Sequence, residues 1–125
     1  MRRIFSGSPY EPLIGYARAV DAGGFVFVSG TTGIDPDGPE DQSVTDQCGL
    51  ALSRIGAALA EAGLGFENVV RVTYILPDPA DFEACWPQLR ETFGANPPAA
   101  TMIGVTLIDP RMKIEIEVTA MRGDA

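Results

Sequence analysis

Apolar and polar positions alternate in two distinct rhythms along the chain, and these predict its elements. Between Arg18 and Ser29 two extended segments, Arg18 to Asp21 and Phe25-Val26-Phe27-Val28-Ser29, flank Gly23-Gly24, the signature of a tight hairpin. From Ser43 to Ala62 the period changes. Val44, Cys48, Leu52, Ile55, Leu59 and Ala62 recur at three and four residues, which predicts a helix with Ser43 as N-cap and Gly63 as its left-handed terminator. Val69 to Leu76 is β-branched and aromatic and reads as a strand ended by Pro77-Asp78-Pro79, after which a second helix runs from about Asp81 to Phe93. Two further strands, Ala100 to Leu107 and Met112 to Met121, are divided by Asp109-Pro110. In the last, Ile114, Ile116 and Val118 face one way, and Glu115, Glu117 and Thr119 the other.

The order β-β-α-β-α-β-β, with an extra N-terminal strand over residues 3–6, argues for an α+β domain: a mixed sheet carrying two helices on one face. A single domain spanning residues 1–125 is expected. The other sheet face would hold carboxylates, Thr, Phe and Tyr together. That mixed character points to a surface closed by further copies of the chain.

Composition narrows the chemistry. There is no histidine among the 125 residues, so imidazole-based triads and the usual zinc sites are excluded, and proton transfer falls to carboxylates, Tyr, Lys, Cys or water. A net charge of −8 without any cluster of basic residues argues against nucleic acid as a partner. No segment is long and apolar enough for a membrane span or a signal peptide, and the two cysteines lack CxxC spacing, so the expected setting is the reducing cytoplasm. Asp35-Pro36-Asp37-Gly38 starts like a calcium loop but lacks the closing glutamate, and reads as a turn; no metal is expected.

Several segments resemble the RidA family (YjgF/YER057c/UK114): Gly15-Tyr16, Gly24-Phe25-Val26-Phe27-Val28-Ser29-Gly30, Leu59-Ala60-Glu61-Ala62-Gly63, Val69-Val70-Arg71-Val72-Thr73-Tyr74, Pro97-Pro98-Ala99, and Lys113-Ile114-Glu115-Ile116-Glu117-Val118-Thr119-Ala120. The resemblance runs in order along nearly the whole chain. It implies a chorismate-mutase-like fold, a homotrimer with clefts between subunits, no cofactor, and hydrolysis of small imines or enamines such as 2-aminoacrylate to 2-keto acids and ammonia. Carried over by position, Glu115 matches a last-strand glutamate that orients or activates water, Tyr16 a pocket tyrosine, and Ser29-Gly30 the end of the second strand.

One position departs from the family pattern. Where the resemblance leads one to expect an arginine that grips the substrate carboxylate, the segment reads Pro98-Ala99-Ala100-Thr101, so Ala100 takes its place; Trp86 replaces an asparagine of the second helix. Alanine offers nothing like the guanidinium fork. Arg18, two residues from Tyr16 and on the same strand face, is the nearest substitute, though an interface ion pair is the plainer role for it; Thr101 is included only as Ala100's neighbour. Glu115 and Glu117 would equally serve as partners of basic groups across a subunit boundary.

The resulting expectation is a divergent RidA-type hydrolase with weak turnover of the usual imino acids, Glu115 and Tyr16 as catalytic groups, and Arg18, Ser29, Gly30, Trp86, Ala100 and Thr101 around a small-molecule ligand. The alternative is a homotrimer that binds a small molecule or another protein without chemistry. RNA cleavage ranks last.

Overall fold

A computed structural model describes residues 1–123. Its strands are β1 (Arg2–Ile4), β2 (Ala19–Ala22), β3 (Phe25–Thr32), β4 (Val69–Leu76), β5 (Ala99–Gly104) and β6 (Glu115–Met121); its helices are α1 (Tyr10–Ile14), α2 (Val44–Glu61) and α3 (Phe82–Phe93). The six strands form one mixed sheet in the order β1-β2-β3-β6-β4-β5. β4 and β5 run parallel through α3, and every other neighbouring pair is antiparallel. This is the expected α+β mixed-sheet architecture.

The core follows the two rhythms. The α2 stripe of Val44, Cys48, Leu52, Ile55 and Leu59 is buried against Val26 and Val28 of β3, Val72, Tyr74 and Leu76 of β4, and Ile114, Ile116 and Val118 in and just before β6. The Ser43 hydroxyl accepts from the Asp46 amide, as its N-cap position requires, and Gly63 has φ +76. Gly23 and Gly24 both take positive φ, which is what a two-residue turn needs to match the twist of the strands it joins.

Besides β1 lying at Arg2–Ile4 instead of residues 3–6, and β3 continuing past Ser29 to Thr32, the structure differs from expectation at three places. The last strand begins at Glu115 rather than Met112, because the backbone there bonds to a side chain instead of a neighbouring strand: buried Gln47 on α2 accepts from the Lys113 amide (2.9 Å) and donates to the Arg111 carbonyl (2.9 Å). β5 stops at Gly104, three residues early. Helix α1 has no counterpart in the sequence reading: it contains Pro12 and turns Tyr10, Leu13 and Ile14 to solvent while burying Glu11, which inverts the amphipathic rule.

Cys48 and Cys85 meet across the α2–α3 contact, both fully buried. The Cys85 thiol donates to the carbonyls of Val44 (3.9 Å) and Asp81 (4.0 Å), and the neighbouring Cys85 together with burial pushes the Cys48 thiol up. Neither sulfur reaches solvent. A disulfide-exchange reagent should therefore label no thiol in the native protein and two after denaturation, read as released chromophore.

Candidate functional site

The site begins with a defect in the β3–β6 ladder. Val28 pairs with Val118, but Thr31 rather than residue 30 pairs with Ile116, so Ser29 and Gly30 form a bulge. Beyond the bulge Thr32 lies opposite Glu115, the first residue of β6. Gly30 leaves room for the carboxylate: a Cβ there would stand 2.9 Å from Glu115 Cδ and 3.0 Å from Oε1.

Hydrogen bonds pin the bulge to the segment before β2. The Ser29 hydroxyl donates to the Ala17 carbonyl (2.7 Å), and the Ser29 amide to the Arg18 carbonyl (2.9 Å). Arg18 reaches back with Nη1, donating to Thr31 Oγ1 (2.7 Å) and the Gly30 carbonyl (3.3 Å). Its guanidinium lies 5.7 Å from the centre of the Tyr16 ring and its Nε 3.9 Å from the carboxylate of Glu11. Glu11, 2% exposed, also accepts from the Ser6 hydroxyl (2.6 Å) and amide. Arg18 is thus a half-buried cation whose countercharge comes from helix α1.

Tyr16, Arg18, Gly30 and Glu115 border one open hollow of about 1140 Å³. Burial holds the Glu115 carboxyl above the usual carboxylate range; the like charge of Glu117 adds to this, and Arg18 opposes it. A carboxyl in this setting can take a proton from water and return it at a pH closer to neutral than an exposed glutamate would.

The remaining candidates lie elsewhere on the chain. Ser29 borders a second, smaller hollow on the uncovered sheet face with Arg71, Thr73 and Glu117. Thr101 pairs with Thr73 on that same face and accepts a hydrogen bond from Arg71. Ala100 is in register with Val72, on the helix side of the sheet, but exposed at the β5 edge. Trp86 is 49% exposed on α3, edge-on to Phe82, which packs on Tyr74.

Three groups escaped the sequence reading. Arg71 left a signal, since it alternates with Val72 and so shares a face with Thr73. Glu11 left none, because a glutamate in a short turn looks solvated. Arg54 falls off the apolar stripe of α2 and reads as a surface cation, yet it borders the Glu115 hollow.

Adding a methyl group at Gly30 separates a site effect from a folding effect, because the atoms it meets are the mobile end of a side chain. Gly30→Ala is expected to displace the Glu115 carboxylate and shift any pH dependence it controls, with a change in melting temperature of only a few degrees, checked by calorimetry.

Comparison with known proteins now supplies the class. Residues 7–122 match the family described as Endoribonuclease L-PSP, and the chain belongs to that family, which is also called RidA or YjgF/YER057c/UK114. It is 39% identical over 127 residues to an uncharacterized protein of Streptomyces coelicolor, covering 98% of this chain and 93% of that one. The human 2-iminobutanoate/2-iminopropanoate deaminase is 32% identical over 126 residues, covering 98% and 92%. Among solved structures, a YjgF/YER057c/UK114 family member from Mycobacterium tuberculosis superposes with a TM-score of 0.86 at 35% identity, covering 96% of this chain and 98% of that one. No helix among the described residues is long and apolar enough to cross a membrane.

Proposed function

We propose that the protein is an imine deaminase, a hydrolase that converts a small imine and water to a carbonyl compound and ammonia. The observation that carries this reading is Glu115: a half-buried carboxyl of raised proton affinity, held against Gly30 beside Tyr16 and Arg18 in an open hollow. The likeness to the human deaminase supports the same reaction type.

In this reading Glu115 takes a proton from water as the water oxygen adds to the imine carbon. That proton passes to nitrogen to give a carbinolamine; the proton of its hydroxyl then moves through Glu115 to the same nitrogen as the carbon–nitrogen bond breaks, so ammonia leaves, the carbonyl forms and Glu115 is unchanged over the cycle. Neither a cofactor nor a metal enters these steps. Tyr16 and Gly30 shape the wall around the reacting carbon, and Arg18, its charge matched by Glu11, fixes the bulge.

The assembly belongs to the same proposal. Phe25 and Phe27 of β3 and Ile103 of β5 are exposed on the uncovered sheet face beside Arg71, Thr73 and Glu117, a surface suited to burial by two further copies. In a homotrimer the exposed β5 edge, with Ala100 and Thr101, would stand at a boundary with a neighbouring copy and form the far wall of a small-molecule cleft. Light scattering coupled to gel filtration should then give about 40 kDa, three times the 13.3 kDa of one chain.

The test of activity is keto acid release from 2-iminobutanoate generated in situ. The protein should accelerate it, slowly if Ala100 indeed stands in place of the carboxylate-binding arginine; a rate equal to that of buffer refutes the deaminase reading and leaves the non-catalytic binder.

A further inference from the structure

The uncovered sheet face holds two opposite charges that do not meet. Arg71 is the one cation in strands β2 to β6, and it borders the smaller hollow together with Glu117. In the ladder Glu117 lies opposite Thr73, and Arg71 stands one step further along the same face, opposite Thr119. Among the described residues, however, neither has an ionic partner. Arg71 donates instead to Thr101 on β5, so its guanidinium leans toward the outer edge of the sheet and away from β6.

Covering this face, with its exposed Phe25, Phe27 and Ile103, takes water from both charges, and an ion stripped of water without a partner is strongly destabilising. The displacement of the cation supplies the partner. With Arg71 leaning to the edge and Glu117 in the middle, a ring that lays each β5 edge against the next copy's face brings the two charges of different copies together.

Glu117 also bears on Glu115. The two alternate on β6 and share a face, and the like charge of Glu117 favours the protonated form of Glu115; Arg18, from the segment before β2, works the other way. The neighbours of Glu115 on the flanking strands, Gly30 and Thr32 on β3 and Ile75 on β4, carry no charge. Its hollow is also bordered by Tyr10, Tyr16, Arg54, Glu61, Asp109 and Arg111, all of them common to the variants compared below.

We infer that Glu117 pairs with Arg71 of a neighbouring copy of the chain, and that this contact makes assembly the event that readies Glu115 to act as a base. In the separate chain the charge of Glu117 is uncompensated and opposes ionisation of Glu115. In the assembled protein the guanidinium offsets that charge, and Glu115 loses its proton at lower pH. This rests on the homotrimer reading and adds a chemical consequence to it: the separate chain is the poorer catalyst, although Glu115 and the bulge it lies against belong to one chain.

Two measurements test this, and neither needs turnover. Arg71→Glu and Glu117→Arg each set like charges against each other at every boundary, so in light scattering either protein should fall to the single-chain mass at a concentration at least about tenfold higher than wild type does. Mixed in equal amounts, the two should recover assembled mass, because boundaries between unlike chains pair opposite charges. A pair formed within one chain could not be restored by mixing, since each variant lacks one of its members. Glu115 is then titrated by carbon-13 NMR of the glutamate carboxyls, assigned with Glu115→Gln. Arg71→Gln should raise its midpoint by about half a pH unit, and Glu117→Gln should lower it. Adding Arg71→Gln to Glu117→Gln should change nothing further, because Arg71 acts through Glu117. A wild-type mass of one chain refutes the homotrimer and this inference with it. With wild type assembled, the inference alone is overturned by single variants that dissociate no more readily than wild type, by mixtures that stay dissociated, or by an Arg71→Gln titration that is unshifted or shifts equally without Glu117.

Discussion

Glu115→Gln should lower imine hydrolysis at least about 100-fold, the usual worth of a positioned general base, while the protein stays folded. The same substitution should raise stability at neutral pH. Burial, aided by Glu117, holds the Glu115 carboxyl above its ordinary range, so the folded state binds its proton more tightly than the unfolded chain does. A group shifted in this direction contributes stability that is fully present below its unfolded pKa and is lost as pH rises through its folded one. Glutamine carries no such penalty, and its advantage in melting temperature should vanish in acid. Activity has the opposite slope, since the base must be deprotonated: it should rise through the folded pKa of Glu115. Glu117→Gln, which removes the like charge, should move that acid limb to lower pH.

Arg18→Met should destabilise the protein by about 3 kcal/mol, because it strands the Glu11 carboxylate in the interior with only Ser6 to solvate it. In a chain of this size that is about 10 °C in melting temperature. It also deprives Thr31 and the Gly30 carbonyl of their donor, so the bulge should loosen and Glu115 with it. Replacing both partners, Glu11→Gln with Arg18→Met, should recover a substantial part of the loss, since the uncompensated charge is gone. Thermal unfolding of the two single variants and the double variant measures this coupling directly.

What could be read from the sequence follows from how each feature is encoded. The α2 stripe from Val44 to Leu59 and the alternation of Ile114, Ile116 and Val118 are local patterns repeated several times, and each repeat reinforces the same face. Glu115 and Tyr16 were found by resemblance, and their approach to Gly30 and Arg18 agrees with a shared hollow. The rest depended on single residues. Helix α1 was hidden because its one buried side chain is charged; the start of β6 shifted because Gln47, distant in sequence, takes the Lys113 amide out of the ladder. Arg54 could not be told from a solvated helix cation until the carbonyls of Thr32 and Ile34 were placed beside it. The bulge at Ser29-Gly30, on which the site is built, is a register shift between two strands far apart in the chain, and Gly30 alone hints at it.

The central claim is that Glu115 hydrolyses an imine in the hollow behind the β3 bulge. Its most direct test follows 2-oxobutanoate and ammonia appearing together from 2-iminobutanoate, with wild type and Glu115→Gln side by side at equal concentration. The two products should form in equal amounts, faster than the spontaneous reaction with wild type and at the spontaneous rate with Glu115→Gln. Equal acceleration by the two proteins, or none by wild type, contradicts the account.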